Sequence, residues 1–389
     1  MGNAGSNLSH AMIGEKFMTI LPECMPSMGA RLLLRNSAFL VLTVVVTIPS
    51  LLSQEFDPSS TGRMAIDERG RKIVLASKDK NVRVWNLDTK ELLHTIDVGE
   101  PALSVALSQN GDELLTGTIG DRPNANERTR STIKCWNIQG ESPLLLWETP
   151  VIGGCQGLAF SKSNDWVVGI CVYSRLVFLD RKTGKLRRVW TEEGNGFWQM
   201  ALPHDERYLI TAGQATRVWD LTSNPIPNHD LPFDYWPSNN ESQNAQPWEA
   251  FSGGSSVSSS RTSNSAYVLG FFHGTSGRAW DVARIDFSQG RNINVIATEL
   301  GASDGKLPSC IALSPDGLSY LAIGFEGGIL EIRKTDGTLL RKTRFDISGN
   351  IRSVSFVDRG EKVAVAYEGG VELFVIDTND LSNVERFYR

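Results

Sequence analysis

The sequence predicts an all-β fold, a seven-bladed β-propeller of four-stranded antiparallel blades behind an apolar N-terminal segment. One pattern recurs: an apolar strand, a tight turn rich in Ser, Pro, Asn, Asp and Gly, a second strand, and a third strand often ending in Trp-Asp or Trp-Asn. The first turn of the pattern begins at Asp67, Ser108, Ser161, Pro203, Ser260, Ser314 and Val357. A period of roughly 40 residues is typical of propellers, whose small sheets must stack side by side to bury their faces.

The composition fits one large repeat domain. The chain has 389 residues, 41% of them hydrophobic and 8% aromatic, which is ample for a core. A repeat array of this length can form a single closed unit, so we predict a propeller over residues 54–389. The net charge is -5, and the absence of a long basic run argues against a nucleic-acid partner.

Residues 1–53 form an N-terminal extension of different character. Arg31 and Arg35 precede an apolar core at 36–52, which contains Pro49 and leads into polar residues. This order is typical of a secretory signal peptide, although the apolar stretch also approaches the length that spans a bilayer as a transmembrane anchor. The protein is thus expected to be exported, periplasmic or extracellular, or membrane-anchored; a cytoplasmic protein with a buried or disordered segment is the alternative. The true start, Met1 or Met28, stays open, because a start at Met28 gives the conventional signal layout.

The blades differ in clarity. Blade 1 is the clearest, with predicted strands at 64–66, 72–77, 82–87 and 91–96. Blade 5 is blurred, and its third strand is predicted at 277–281. The fourth strand of blade 7 is expected either at 384–388 or from residues near 52–56, which would clasp the ring shut.

The third strands resemble those of WD-repeat propellers over roughly residues 60–389. In blade 1, Asp79 stands six residues before Trp85. The corresponding Trp and Asp positions of other blades are Trp136, Trp219, Asp220, Trp280 and Asp281. The resemblance implies that Asp79 helps to hold a hydrogen-bond network linking turn, strand and indole. The family's Gly-His pair is absent here, and blades 3, 6 and 7 have no Trp in the third strand, so a looser relative such as the quinoprotein-like group stays open.

No pattern in the sequence points to catalysis. The five His residues lack metal-ligand spacing, no Gly-rich phosphate loop opens a helix, and no Gly-x-Ser-x-Gly elbow occurs. We therefore predict no catalytic residue, no cofactor and no metal site. The alternative is a lactonase- or quinoprotein-like enzyme with a site at the mouth of the central channel.

Two cysteines are expected to face each other in blade 3. A hairpin turn near Ser163 places Cys155 opposite Cys171 on neighbouring strands, close to the separation that a disulfide needs. A bridge is predicted if the protein is exported. The alternative is a pair of buried thiols acting as small apolar residues.

The insertion between blades 4 and 5, roughly 223–256, is the most distinctive predicted surface. It combines several prolines with Phe233, Tyr235, Trp236 and Trp248. Tyr and Trp are enriched at binding hot spots, so these four residues are candidates for a partner-binding loop, unless the loop packs on its own aromatics. The predicted function is a non-catalytic scaffold for protein–protein interaction, with membrane contact only through the N-terminal segment if that is uncleaved.

Overall fold

The computed structural model describes most of the chain from residue 63 onward. The described residues are 63–77, 79–120, 129–163, 165–191, 196–222, 248–251, 255–260, 262–274, 277–287, 292–297, 305–317, 319–347, 349–367, 373–380, 382 and 384–387. All of them belong to one compact unit, Gln54–Arg389. The N-terminal extension and its apolar core at 36–52 lie outside the described residues. None of the helices within these ranges has both the length and the hydrophobicity that a bilayer crossing requires.

In the described part of the chain, twenty-eight strands form seven antiparallel sheets of four, each from four consecutive strands, and confirm the predicted propeller. Blade 1 contains β1 (Met64–Ile66), β2 (Lys72–Ala76), β3 (Asn81–Asn86) and β4 (Leu92–Asp97). Blade 2 contains β5 (Ala102–Leu107), β6 (Glu113–Thr118), β7 (Arg130–Asn137) and β8 (Leu144–Ile152). Blade 3 contains β9 (Cys155–Phe160), β10 (Trp166–Cys171), β11 (Arg175–Asp180) and β12 (Leu186–Thr191). Blade 4 contains β13 (Phe197–Ala201), β14 (Tyr208–Gly213), β15 (Thr216–Asp220) and β16 (Trp248–Phe251).

The remaining three blades follow the same order. Blade 5 contains β17 (Ser256–Ser259), β18 (Ser265–Gly274), β19 (Gly277–Asp286) and β20 (Asn292–Ala297). Blade 6 contains β21 (Pro308–Leu313), β22 (Tyr320–Phe325), β23 (Ile329–Lys334) and β24 (Leu339–Arg344). Blade 7 contains β25 (Ile351–Val357), β26 (Lys362–Tyr367), β27 (Leu373–Asp377) and β28 (Val384–Phe387). Its fourth strand pairs with β27, so the first of the two predicted sources is confirmed.

The turn between the first and second strands explains the recurring Asp, Ser and Gly. In blade 1 the Asp67 carboxylate accepts hydrogen bonds from the backbone N–H of Arg71 at 2.7 Å and of Lys72 at 2.9 Å. In blade 2 the Ser108 hydroxyl accepts one from the Glu113 N–H at 2.9 Å. Gly111 has a φ of +74°, a conformation that glycine adopts without steric cost. Short polar side chains thus satisfy backbone donors that the turn takes out of the sheet.

The Asp or Asn that ends the third strand closes the next turn in the same way. The Asn86 side-chain oxygen accepts from the Asp88 N–H at 2.8 Å, and that of Asp220 accepts from the Thr222 N–H at 3.0 Å. Asp180, Asn137 and Asp377 make equivalent bonds in blades 3, 2 and 7. The second letter of the Trp-Asp pattern is therefore a turn-forming residue, which is why Asn serves equally well.

The hydrophobic core lies between neighbouring blades. Seven clusters of buried side chains fill the seven seams, and each contains residues from two adjacent sheets. The seam between blades 7 and 1 packs Trp85 and Leu75 against Val375 and Phe387. Because a single sheet has two apolar faces and no core of its own, each blade depends on both neighbours.

The inner strands enclose a channel on the axis of the ring. Adjacent first strands contact one another around the whole circle, including β25 with β1. Side-chain bonds join them: the Ser256 hydroxyl of β17 accepts from the Ile311 N–H of β21 at 3.1 Å, and the Ser104 hydroxyl of β5 donates to the Cys155 carbonyl oxygen of β9 at 2.7 Å. These cross-blade bonds hold neighbouring first strands side by side.

Candidate functional site

Asp79 lies at the centre of a hydrogen-bond network in blade 1. Its carboxylate accepts from the Arg83 guanidinium at 2.5 and 3.2 Å and from the Ser77 hydroxyl at 2.8 Å. Arg83 also donates to the Ser77 hydroxyl at 2.6 Å, and its side chain is 4% exposed. Burial raises the pKa of Asp79, but the hydrogen bonds from Arg83, Ser77 and the Asn81 N–H outweigh it, so the pKa lies well below its ordinary value. The network joins the turn to the third strand.

Three of the four predicted Trp residues occupy the same place in their blades. Trp85, Trp136 and Trp219 all precede the turn-forming Asn or Asp at the end of the third strand. The Trp219 indole N–H donates to the Thr211 hydroxyl at 3.0 Å, and that of Trp136 to the Thr116 hydroxyl at 3.1 Å. The indole thereby ties the third strand to the second.

Blade 5 differs from the sequence expectation. Asp286 pairs with Ser265 as Asp220 pairs with Tyr208, so the repeat position is held by Ile285 and Asp286. Trp280 and Asp281 stand five residues earlier, and their assignment as the repeat pair is corrected. The reason is a longer hairpin: β18 and β19 have ten residues each, and the third strand continues past the Trp-Asp sequence.

The two cysteines of blade 3 face each other. Cys155 and Cys171 are register partners on β9 and β10, as predicted. The pairing arises from a register shift between Ile170 and Cys171, which the hairpin spacing alone did not predict. Both are buried free thiols in the structure. Burial, followed by a hydrogen bond with the Cys171 thiol, raises the pKa of Cys155. A bridge in an oxidising compartment stays a prediction.

The candidate partner-binding loop falls largely outside the described residues. This applies to Phe233, Tyr235 and Trp236. Trp248 begins β16 by its backbone. Whether the loop binds a partner stays a prediction.

A cavity of about 430 Å³ lies in the axial channel. First strands of all seven blades line it. Its side chains at the starts of these strands are mainly polar: Arg63, Ser104, Gln156, Gln199, Ser256 and Ser353. Carboxylates lie near the opposite mouth, where Glu68 accepts from the Gln109 side-chain amide at 2.6 Å and Glu206 accepts from the Lys162 N–H. In the described part of the chain, no three His, Cys, Asp or Glu side chains group as metal ligands do.

The outermost strand of blade 2 carries three exposed leucines in succession. Leu144, Leu145 and Leu146 are 62%, 40% and 44% exposed. A register shift near Trp136 interrupts the alternation here, so that Leu146 has no direct partner on β7. Below it, Trp147 turns inward and its indole N–H donates to the Arg181 carbonyl oxygen at 2.7 Å. The sequence analysis did not predict this exposed edge. Three successive leucines cannot all face the core of an alternating strand, so the run itself indicated exposed apolar side chains.

Comparison with known proteins supports the fold alone. No family model matches the sequence, and no curated protein matches it. Among solved structures, the hydrazine synthase of Kuenenia stuttgartiensis aligns with a TM-score of 0.62 at 14% identity, over 83% of this chain and 96% of that chain. Because 1639 chains match to a significant degree, the fold is too widespread to indicate a function by itself.

Proposed function

We propose that this protein is a non-catalytic, WD-repeat-like propeller scaffold that binds a protein partner through the outer edge of blade 2. The observation that carries the proposal is the exposed leucine run, Leu144–Leu146. Exposed apolar edges of sheets pair readily with other chains, so proteins usually shield them with charge, proline or a covering segment.

Other outer strands show such shielding. On β24 the exposed Leu339 and Leu340 are followed at once by Arg341 and Lys342. In β8 itself, Pro150 removes one backbone donor from the far half of the strand, while the near half carries no charge between Leu144 and Trp147. The near half of β8 is therefore the part of this edge that suits pairing.

The chemistry of the edge indicates one kind of occupant. Glu141 precedes the leucines and is exposed. Glu148 follows them; its Oε1 lies 3.7 Å from the Lys134 Nζ, but 47% of its side chain is exposed. An extended segment of a partner protein, apolar at its centre and basic at its ends, would add a fifth strand to blade 2. Backbone hydrogen bonds would supply affinity, and the leucines and glutamates would supply selectivity.

The test uses affinity purification from the native host with quantitative mass spectrometry. The variant L144E/L146E places charge on the edge, and L339E/L340E makes the matched change on blade 6. We expect a partner protein to co-purify with the wild type and with the blade 6 variant. The amount recovered with the blade 2 variant should be at least tenfold lower. Identical protein sets on all three would overturn the proposal.

Hydrogen exchange locates the contact. With the recombinant partner bound, backbone amides of residues 144–148 are expected to gain protection. Protection confined to another blade would refute pairing at this edge. The named enzyme among the structural neighbours is compatible with the alternative of a channel-mouth enzyme, but it shares only the fold with this chain.

A further inference from the structure

We propose that the axial channel binds a compact organic carboxylate, held by Arg63 with Gln156 and Gln199. All three residues line the cavity near the starts of inner strands. Arg63 immediately precedes β1, Gln156 is the second residue of β9 and Gln199 the third of β13. They therefore lie at the same end of the channel, opposite the first turns, on blades 1, 3 and 4.

Arg63 supplies the charge. Within the part of the chain that the structure describes, its guanidinium has no hydrogen-bond or ion-pair partner, although its backbone carbonyl oxygen accepts from the Ala76 N–H at 2.9 Å. Burial lowers the pKa of Arg63; the Cys310 thiol raises it and the Arg352 guanidinium lowers it further. A second cation nearby makes this end of the channel more attractive to an anion.

Gln199 is oriented as a donor. Its side-chain oxygen accepts from the Ser256 hydroxyl at 2.6 Å and from the Val257 N–H at 3.3 Å. The Ser256 hydroxyl in turn accepts from the Ile311 N–H, which fixes its direction. With the oxygen occupied, the amide NH₂ of Gln199 is left to face the channel.

Gln156 adds a second amide. The residue is 8% exposed, and among the described residues its side chain makes no hydrogen bond. Its amide atoms are not fully buried, so they reach the channel that the residue lines, where water or a ligand can bond to them. The site thus offers a planar guanidinium and two amides.

The donor set favours a carboxylate. A guanidinium fork matches the two oxygens of a carboxylate. The other cation of the lining, Lys162, lies near the opposite mouth, where its Nζ donates to the His204 carbonyl oxygen at 2.9 Å. The lining carboxylates Glu68 and Glu206 belong to the turns at the other mouth, about 15 Å away along strands that rise about 3.3 Å per residue. The cavity volume of about 430 Å³ suits a small molecule or the C-terminus of a peptide.

Calorimetric titration of the full chain tests the proposal. The probes are succinate, benzoate, a tetrapeptide with a free C-terminus, the same peptide amidated, acetamide and inorganic phosphate. We expect saturable one-to-one binding of at least one carboxylate and none of acetamide or the amidated peptide. Preference between the small acids and the free peptide distinguishes the two sources of the carboxylate.

Matched variants make the result specific. R63Q keeps a polar side chain without charge and is expected to weaken binding about 10- to 100-fold. Q199E retains the acceptor for Ser256, replaces the donor with a negative oxygen and is expected to abolish binding. R71Q makes the same charge change on an exposed residue of blade 1 and should bind as the wild type.

Two results would overturn the site. The first is that no carboxylate binds saturably to the wild type, although the protein unfolds cooperatively. The second is that R63Q and R71Q bind the carboxylate with equal affinity. Phosphate binding as tight as the best carboxylate would refute the ligand class. The edge variant L144E/L146E should leave carboxylate affinity unchanged, which separates this inference from the proposed scaffold function.

Discussion

The Asp79 carboxylate holds the guanidinium of Arg83 through two hydrogen bonds of 2.5 and 3.2 Å, across the turn that leads into β3. Arg83 is 4% exposed and Asp79 28%. The pair therefore places a nearly buried cation against a carboxylate that still reaches solvent. Its contribution to the free energy of unfolding depends on the charge of Asp79.

Replacing Asp79 by Asn should destabilise the propeller at pH 7 by about 2 kcal/mol or more, since a buried guanidinium loses its counter-charge. The pKa of Asp79 is depressed in the folded state, so its contribution is complete above the ordinary Asp pKa of about 4 and declines as the pH falls below that value. The free energies of unfolding of the wild type and D79N, measured with denaturant, should therefore converge in acid. D88N, at an exposed turn, is the control; an equal loss at pH 7 and pH 3 would contradict this account.

Removing the acceptor of the Trp219 indole should cost about 1–3 kcal/mol. T211V keeps the shape of the side chain but removes its hydroxyl. The indole N–H of Trp219, a residue that is 2% exposed, then loses its hydrogen-bond acceptor. T116V makes the same change beneath Trp136, which is only half-buried, so its cost should be smaller. Urea unfolding of both variants measures the difference, and the reverse order would count against the indole bond as the cause.

Gly117 should not tolerate a side chain. A Cβ there would come within 2.8 Å of the Cys155 Sγ and 2.5 Å of the Ser104 Oγ, at the seam between blades 2 and 3. We expect G117A to lower the free energy of unfolding by about 1–3 kcal/mol. Gly140 has open space, with its nearest neighbour at 3.9 Å, so G140A should be neutral. Equal stability of the two variants in denaturant would show that the seam can shift.

Cys155 and Cys171 should form a disulfide when the protein matures in an oxidising compartment. They are register partners, and closing a loop of this size stabilises a protein by about 3 kcal/mol in the chain-entropy account. Peptide mass spectrometry without reduction should find them linked, and C155S/C171S should abolish the species. Recovery of both as free thiols from the exported protein would disprove the bridge.

The fold was predictable because the first turns follow a local rule. Asp67 or Ser108 satisfies nearby backbone donors, so each turn has a recognisable composition and the period can be counted. Blade 5 was misaligned because Trp280-Asp281 imitates the pattern inside a longer strand, while the true position holds Ile285. Only strand pairing distinguishes the two.

The channel and the blade 2 edge could not be predicted in the same way. Arg63, Gln156 and Gln199 come from three blades far apart in sequence, and their convergence depends on closure of the ring. The exposure of Leu146 depends on a register shift in β8. Both features arise from how elements pair and pack, and residue spacing along one chain does not determine that.

Each of the seven sheets is one uninterrupted run of chain, and the first and last are joined by side-chain contacts such as the packing of Trp85 on Val375 and the Lys90–Glu385 ion pair at 3.3 Å. The junction between the two ends of the propeller is therefore of the same physical kind as the other six. A circularly permuted gene that opens the chain at another between-blade connection, with a linker joining residues 63 and 387, would retain every sheet whole. The packing of the blades therefore does not determine at which blade the chain enters the ring.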